Sequence, residues 1–324
     1  MASHAQGGAR PYAELREAVA RRDRALRPKT MSLAEAAELI ADDDSLGIGG
    51  SMMSRTPMAM LWQLMRSGRR NLVCSRPIVT SEGDLLLGSG LSTHVITSWF
   101  SQGIMWGVSK VMRHYVENGL ARYDEWSHLA IGMRWRAGAM GVPFLPTRTM
   151  FASDVLTERP ETRTIPCPFT GEPVLLVPAL NPRVAIIHVH RCDVYGNAQI
   201  DGMPFMDMDL AMAADRVILT TEKIIPNEEI RRAPDRTKIP FFCVDAVVAV
   251  PYGSAPHECH GAYEPMMRHL QMFADLVNGD PVAGIKAYLD RHVYGPASWT
   301  EFLELIGMDE VEEVSRRARN LHDD

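Results

Sequence analysis

The sequence predicts an α/β protein: an open, mostly parallel but mixed sheet with helices on both faces. Three observations predict it. The 324 residues are 46% hydrophobic and 23% charged, enough apolar material for a large core. Strand-length apolar runs alternate with helix-periodic runs through the first half, the pattern of parallel strands joined by crossover helices. In the second half, "VAIIHVHRCDVYGNAQIDG" reads as two strands joined by a Gly-Asn turn, which adds an antiparallel pair and makes the sheet mixed.

In chain order, residues 1–30 form a basic N-terminal arm, with a short surface helix between Pro11 and Leu26. It lacks the apolar stretch of a secretory signal. Residues 31–324 form the main domain. "MSLAEAAELI" has helical spacing, with Ser32 as N-cap and Glu35 three residues on, a capping box. "SLGIGG" is a short strand running into a glycine loop. "TPMAMLWQLMRSG" is a helix with Thr56 as N-cap, Pro57 at the first helical position and Gly68 as its stop. "NLVCS" is a buried strand, "IVTSEGDLLLGSG" a loop, short helix and turn, and "HVITSWF" a strand. "SKVMRHYVENG" and "HLAIGMRWRAGAMG" are helices, and Asp124 and Glu125 belong to the first turn of the second. Strands follow at "VLLVP", "VAIIHVH", "NAQI", "RVILTTE" and "FFCVDAVVAVP", then a helical region from about Pro265.

Several classes of function are excluded at this level. A net charge of −6 argues against a nucleic acid or an anionic membrane as partner. The longest apolar runs are far short of a membrane span. Five cysteines, an odd number without a C-x-x-C pair, point to reduced thiols in the cytoplasm.

In an open α/β sheet, ligands lie beyond the carboxyl ends of the strands. That rule places the loop Gly47–Arg55, the loop Thr80–Gly90 and the approach to Asp124–His128 at one rim. The first has a strand, a tight turn and a helix N-terminus, an arrangement that offers backbone N–H groups to an anion. Its G-x-G-G spacing fits neither common nucleotide loop. Gly49 and Gly50 supply its backbone, and Ser51, Ser54 and Arg55 add hydroxyl and guanidinium donors. In the second loop Ser81, Glu82 and Gly83 are substrate-binding candidates, with Glu82 and Asp84 lining a cleft. Asp124, Glu125 and His128 form an acid–imidazole group, whose bland reading is acids favouring a helix dipole. His257, Cys259 and His260 in "HECHGAYE", and His188 and His190 on one strand face, are weak metal patterns better read as turn and packing residues. No metal site is assigned.

The segments "GIGGSMMSRTPMA", "MRWRAGAMGVPFLPT", "VAIIHVHRCDVYGNAQI", "EKIIPNEEIRRAPDRTKIP" and "CVDAVVAVPYGSAPHECHGAY" closely resemble the α subunit of glutaconate CoA-transferase, in family I of the CoA-transferases. The resemblance runs from about Met31 to Tyr263. It implies the open α/β fold shared by these transferases and ribose-phosphate isomerases, and it implies that the partner is a β subunit. It also implies acyl-CoA and a carboxylic acid acceptor as substrates, with no permanently bound cofactor. The glycine loop then helps form the acyl-CoA site through Gly49 and Gly50, although Ser51 stands where relatives commonly carry Phe. The nucleophilic glutamate of the double displacement belongs to the β subunit. Glu117 in "VENG" resembles its context but matches an α-subunit helix end, and is set aside. The resemblance also extends to ring-opening hydrolases of steroid degradation, in which Glu125 would be the base and His128 would polarise a carbonyl.

Overall fold

The computed structural model describes residues 10–320. Fourteen strands are present: β1 Ser45–Ile48, β2 Leu72–Ser75, β3 Ile78–Val79, β4 Ser92–Thr97, β5 Trp99–Phe100, β6 Arg122–Glu125, β7 Phe144–Thr147, β8 Arg163–Pro166, β9 Pro173–Pro178, β10 Val184–Cys192, β11 Ala198–Gln199, β12 Arg216–Ile224, β13 Thr237–Ile239 and β14 Ala246–Ala249. The helices are α1 Tyr12–Arg21, α2 Leu33–Ala37, α3 Met58–Arg66, α4 Ser81–Gly88, α5 Lys110–Glu117, α6 His128–Met140, α7 Asp207–Ala213, α8 Asn227–Arg232, α9 Met267–Gly279, α10 Pro281–Tyr288, α11 Trp299–Ile306 and α12 Met308–Asn320. None of these helices is long and apolar enough to cross a membrane.

The main sheet runs β14-β12-β10-β1-β2-β4-β6, every neighbouring pair parallel. The short strands β11 and β13 join it antiparallel at the end of β10, so the sheet is mixed as the Gly-Asn turn predicts. Because side chains alternate across a strand, each strand feeds two cores. Val184 and Ile186 pack with α3 and the C-terminal helices, while Ala185, Ile187 and Val189 pack with Trp135 of α6 and Leu210 of α7. Helices therefore cover both faces, and β10 is buried almost from end to end. A second, antiparallel sheet, β7-β9-β8, stands apart.

Local sequence explains most termini. Ser32 and Glu35 form the expected reciprocal capping box on α2. Ser127 caps α6 by accepting the Ala130 amide at 3.1 Å. Three expectations need correction. Helix α3 starts at Met58 with Pro57 at the cap position, and no side chain caps it; Thr56 is engaged elsewhere, as described below. In "FFCVDAVVAVP" only Ala246–Ala249 is strand, since Phe241–Cys243 forms one 3₁₀ turn after Pro240. Asp124 and Glu125 lie on β6, not on a helix, because Ser127 starts α6 two residues later.

Strand order positions the site. From β1 the chain moves one way through β2, β4 and β6, and from β10 it moves the other way through β12 and β14. The switch point lies between β1 and β10, where a doubly wound sheet opens its crevice. The glycine loop leaves β1 at that point.

Candidate functional site

The glycine loop is held by its own backbone and by buried charge. Gly49 donates to the Ile186 carbonyl at 2.9 Å. Gly50 has φ +71, and a Cβ there would lie 2.2 Å from the Ser54 carbonyl oxygen, so only glycine fits. Its amide donates to Asp207 Oδ1 at 2.8 Å. Ser51 and Ser54 exchange both backbone hydrogen bonds, and Arg55 donates its amide to the Glu258 carbonyl. The amides of Met52 and Met53, at the tip, donate to no acceptor among the described residues.

This corrects the sequence-based placement of donors. The amides of Gly49 and Gly50 are committed inside the fold, and the ones left for a ligand are those of Met52 and Met53. The Arg55 guanidinium is buried and consumed by Asp207, the His188 carbonyl and the Met203 carbonyl. It is a structural tie, not an anion clamp. The hydroxyls of Ser51 and Ser54, in residues themselves buried, have no protein hydrogen-bond partner among the described residues.

A second network joins this loop to the start of α4. Arg76, directly after β2, donates from Nε to the Gly49 carbonyl, from one terminal nitrogen to Thr56, and from the other to Glu82. His257 stands between the two loops, with Nδ1 2.7 Å from Thr56 Oγ1 and Nε2 2.7 Å from Ser81 Oγ. Burial lowers the His257 pKa to about 4, so the ring is neutral at pH 7. Glu82 is fully buried; burial pushes its pKa up, but Arg76 and His257 outweigh this and hold it below the ordinary value. Glu82 therefore does not line an open cleft. Nor does Asp84, which is buried against Ser109 and Gln102 with its pKa raised by burial to about 7. Gly83 is a packing position, since a Cβ there would lie 2.3 Å from Val79 and 2.4 Å from Phe100. Ser81 keeps its position at the first turn of α4, beside His257.

The third rim element opens a chamber of about 480 Å³ off the ends of β4 and β6. Trp99, Trp126, Met150 and Phe151 line it, together with Glu125 and His128. Alternation along β6 separates the neighbouring acids. Asp124 is buried, where burial raises its pKa but His94 and Arg122 outweigh this and drive it well below the carboxylate range. The exposed Glu125 carboxylate has no hydrogen-bond partner among the described residues. His128 opens α6 with Nδ1 3.3 Å from Ser98 Oγ, and partial burial lowers its pKa.

The metal patterns do not assemble. His257 points to Ser81, while Cys259 lies with His188 and Glu222, their ligand atoms within 4.8 Å of one another. That trio is a hydrogen-bond node. Glu222 accepts from Tyr263 at 2.7 Å, from the Tyr252 amide at 2.7 Å and from the Gly253 amide at 3.1 Å, and it contacts His188. Burial pushes the Cys259 thiol well above its ordinary pKa, so it remains protonated. His190 Nε2 instead meets the His260 carbonyl at 2.7 Å. Glu117 is an exposed helix-end residue 3.8 Å from Arg113.

Sequence reasoning missed Arg76, Asp207 and His257 as organisers of the rim. Arg76 follows an apolar strand directly, a position that flags a rim residue. Asp207 and His257 reach the loop only through tertiary structure.

The profile of the coenzyme A transferase family matches residues 30–250. The glutaconate CoA-transferase α subunit of Acidaminococcus fermentans is 35% identical over 73% of this chain and 79% of that protein. The crystal structure of glutaconate coenzyme A-transferase from that organism superposes with a TM-score of 0.84 and 31% identity, covering 88% of this chain and 95% of that one. The corresponding subunit of 3-oxoadipate CoA-transferase from Pseudomonas knackmussii is 30% identical over 84% of this chain and 96% of its own length. A cholesterol ring-cleaving hydrolase IpdA subunit of Mycobacterium tuberculosis is more distant, 28% identical over 74% of this chain and 86% of that protein.

Proposed function

Because the chain belongs to the coenzyme A transferase family, we propose that it is the α subunit of a two-chain cytoplasmic enzyme that moves CoA from an acyl-CoA to a carboxylic acid. The observation that carries this reading is the glycine loop at the sheet's switch point, with the Met52 and Met53 amides unpaired at its tip. Both transferase relatives above are themselves single subunits of their enzymes, which supports a second chain as partner.

In the proposed cycle a glutamate of the partner attacks the thioester carbonyl, forming a mixed anhydride and releasing CoA thiolate. The thiolate attacks the glutamyl carbon, giving an enzyme thioester and freeing the first carboxylate. The incoming carboxylate reverses both steps with the new acyl group. Splitting the exchange this way replaces one difficult transfer with easier ones. Each attack places negative charge on a carbonyl oxygen, and fixed amide donors at Met52 and Met53 would stabilise it without reorganisation. The hydroxyls of Ser51, Ser54 and Ser81 are further donors at the same rim. Glu82 and Asp207, tied to Arg76 and Arg55, hold the loops in place and are not available as nucleophiles.

The test is transfer of labelled CoA from acyl-CoA to acetate by the co-expressed pair, with each chain inactive alone. Gly50→Val abolishes transfer while the pair still assembles; unchanged kinetics would remove the loop from the site. A second reading is favoured by one observation, the presence of Glu125 and His128 in one chamber. As a ring-opening hydrolase, the pair would use Glu125 as base toward water with His128 as carbonyl donor. Thioester retained after ring opening, lost in Glu125→Gln, would establish it.

A further inference from the structure

The chamber off β4 and β6 lies two strands from the glycine loop, a lateral distance of about 10 Å. On the transferase reading, a thioester held at the loop tip directs its acyl group toward the partner and toward this space. The chamber's walls therefore speak to the acyl group. Its volume of about 480 Å³ is that of a small-molecule site.

Its chemistry is one-sided. Two tryptophans, Phe151 and Met150 supply apolar surface. No lysine or arginine lines it among the described residues. The two arginines stacked on Trp126, Arg134 at 4.1 Å and Arg159 at 6.0 Å, are outside the lining. Arg159 is also paired with Asp124 at 3.0 Å. The serines of the wall are engaged: Ser98 donates to the Pro77 carbonyl, Ser127 caps α6 and bonds Thr149, and Ser153 caps a 3₁₀ turn. The polar groups left for a ligand are the Glu125 carboxylate and the second nitrogen of His128.

We infer that this chamber selects a ring-sized, uncharged acyl group, with room for a hydroxyl hydrogen-bonded to Glu125, and rejects an acyl group ending in a carboxylate. Glutaconate and 3-oxoadipate, in the names of two relatives, are dicarboxylates. A terminal carboxylate in this chamber would meet Glu125 in an apolar cavity with no cation to pair it, a repulsive and poorly solvated placement. A ring would instead stack on aromatic surface.

The inference rests on the transferase reading and is tested with the assembled pair. Phenylacetyl-CoA, glutaryl-CoA and acetyl-CoA are compared as donors, with acetate or labelled acetate as acceptor. Phenylacetyl-CoA exceeds glutaryl-CoA in kcat/KM by at least tenfold, and Phe151→Ala removes most of that margin. Glu125→Arg narrows it at least tenfold by admitting glutaryl-CoA, and Glu125→Gln narrows it less. Glutaryl-CoA preferred by the unaltered pair, or a margin indifferent to all three substitutions, overturns the chamber assignment alone. No transfer from any donor overturns the transferase reading and this assignment with it.

Discussion

Asp207 accepts the Gly50 amide on one carboxylate oxygen at 2.8 Å and pairs with Arg55 at 2.5 Å through the other. One buried side chain at the start of α7 thus fixes both the left-handed turn of the glycine loop and the cation that follows it. Removing one partner leaves a buried charge unpaired, which costs about 3–5 kcal/mol. Asp207→Ala is expected to lose that much in urea unfolding. A loss below about 1 kcal/mol would show that the loop does not depend on this tie.

His257 bridges Ser81 and Thr56 through different ring nitrogens, which allows the contacts to be separated by substitution. Glutamine places its amide near the Nε2 position and asparagine near Nδ1. If holding Ser81 is what matters, His257→Gln retains most transferase activity, while His257→Asn falls with Ser81→Ala, chiefly in KM for acyl-CoA. Combining His257→Asn with Ser81→Ala is expected to add little, since neighbours in one network are not additive. Equal loss in both histidine variants, matched by equal loss of thermal stability, would reduce His257 to a packing role.

Asp84 makes stability depend on pH in a defined direction. Burial raises its folded-state pKa from 3.8 to about 7. Between those values the folded chain keeps a proton that the unfolded chain releases. Its contribution is complete below about pH 4 and is lost as pH rises to 7, an effect of about 4 kcal/mol at its limit. Unfolding free energies of the unaltered protein and Asp84→Asn, measured from pH 4 to pH 8, should therefore diverge, with the unaltered protein losing more. Parallel curves would show that Asp84 is ionised throughout.

The thiols should react unequally. Burial raises Cys74 and Cys192 to about 12 and also raises Cys243 and Cys259. Cys167, in the turn between β8 and β9, is lowered by the Thr170 hydroxyl and by the Phe169 and Thr170 amides. An aromatic disulfide reagent is expected to modify one thiol quickly in the native protein, and none quickly in Cys167→Ser. Rapid modification of two or more thiols would contradict the burial of the others.

Much of the frame is legible in the amino acids. Ser32 and Glu35 announce a helix start because capping is local chemistry, and the apolar run 184–189 announces a strand covered on both faces. The glycine loop is legible too, since Gly50 stands where no Cβ fits. Its hydrogen-bond assignments are not. Arg55 reads as a ligand clamp until Asp207, 152 residues away, is seen to neutralise it. Glu82 reads as a cleft residue until Arg76 closes on it. Asp124 and Glu125 look equivalent in sequence, and only the alternation of β6 buries one and gives the other to the chamber. Short-range pattern determines elements, whereas the availability of a polar group depends on partners far away in the chain.

Glu258 sharpens the central question. Its backbone pairs with Met53 and Arg55, and its carboxylate has no partner among the described residues. It is therefore an acid of this chain beside the loop that holds the thioester in the proposed cycle. Intact-mass measurement of both polypeptides after brief exposure to acyl-CoA, without acceptor, decides which chain carries the covalent intermediate. The proposed division of labour predicts a CoA adduct on the partner and none on this chain, unaltered in Glu258→Gln. A CoA adduct on this chain, abolished by Glu258→Gln, would contradict it.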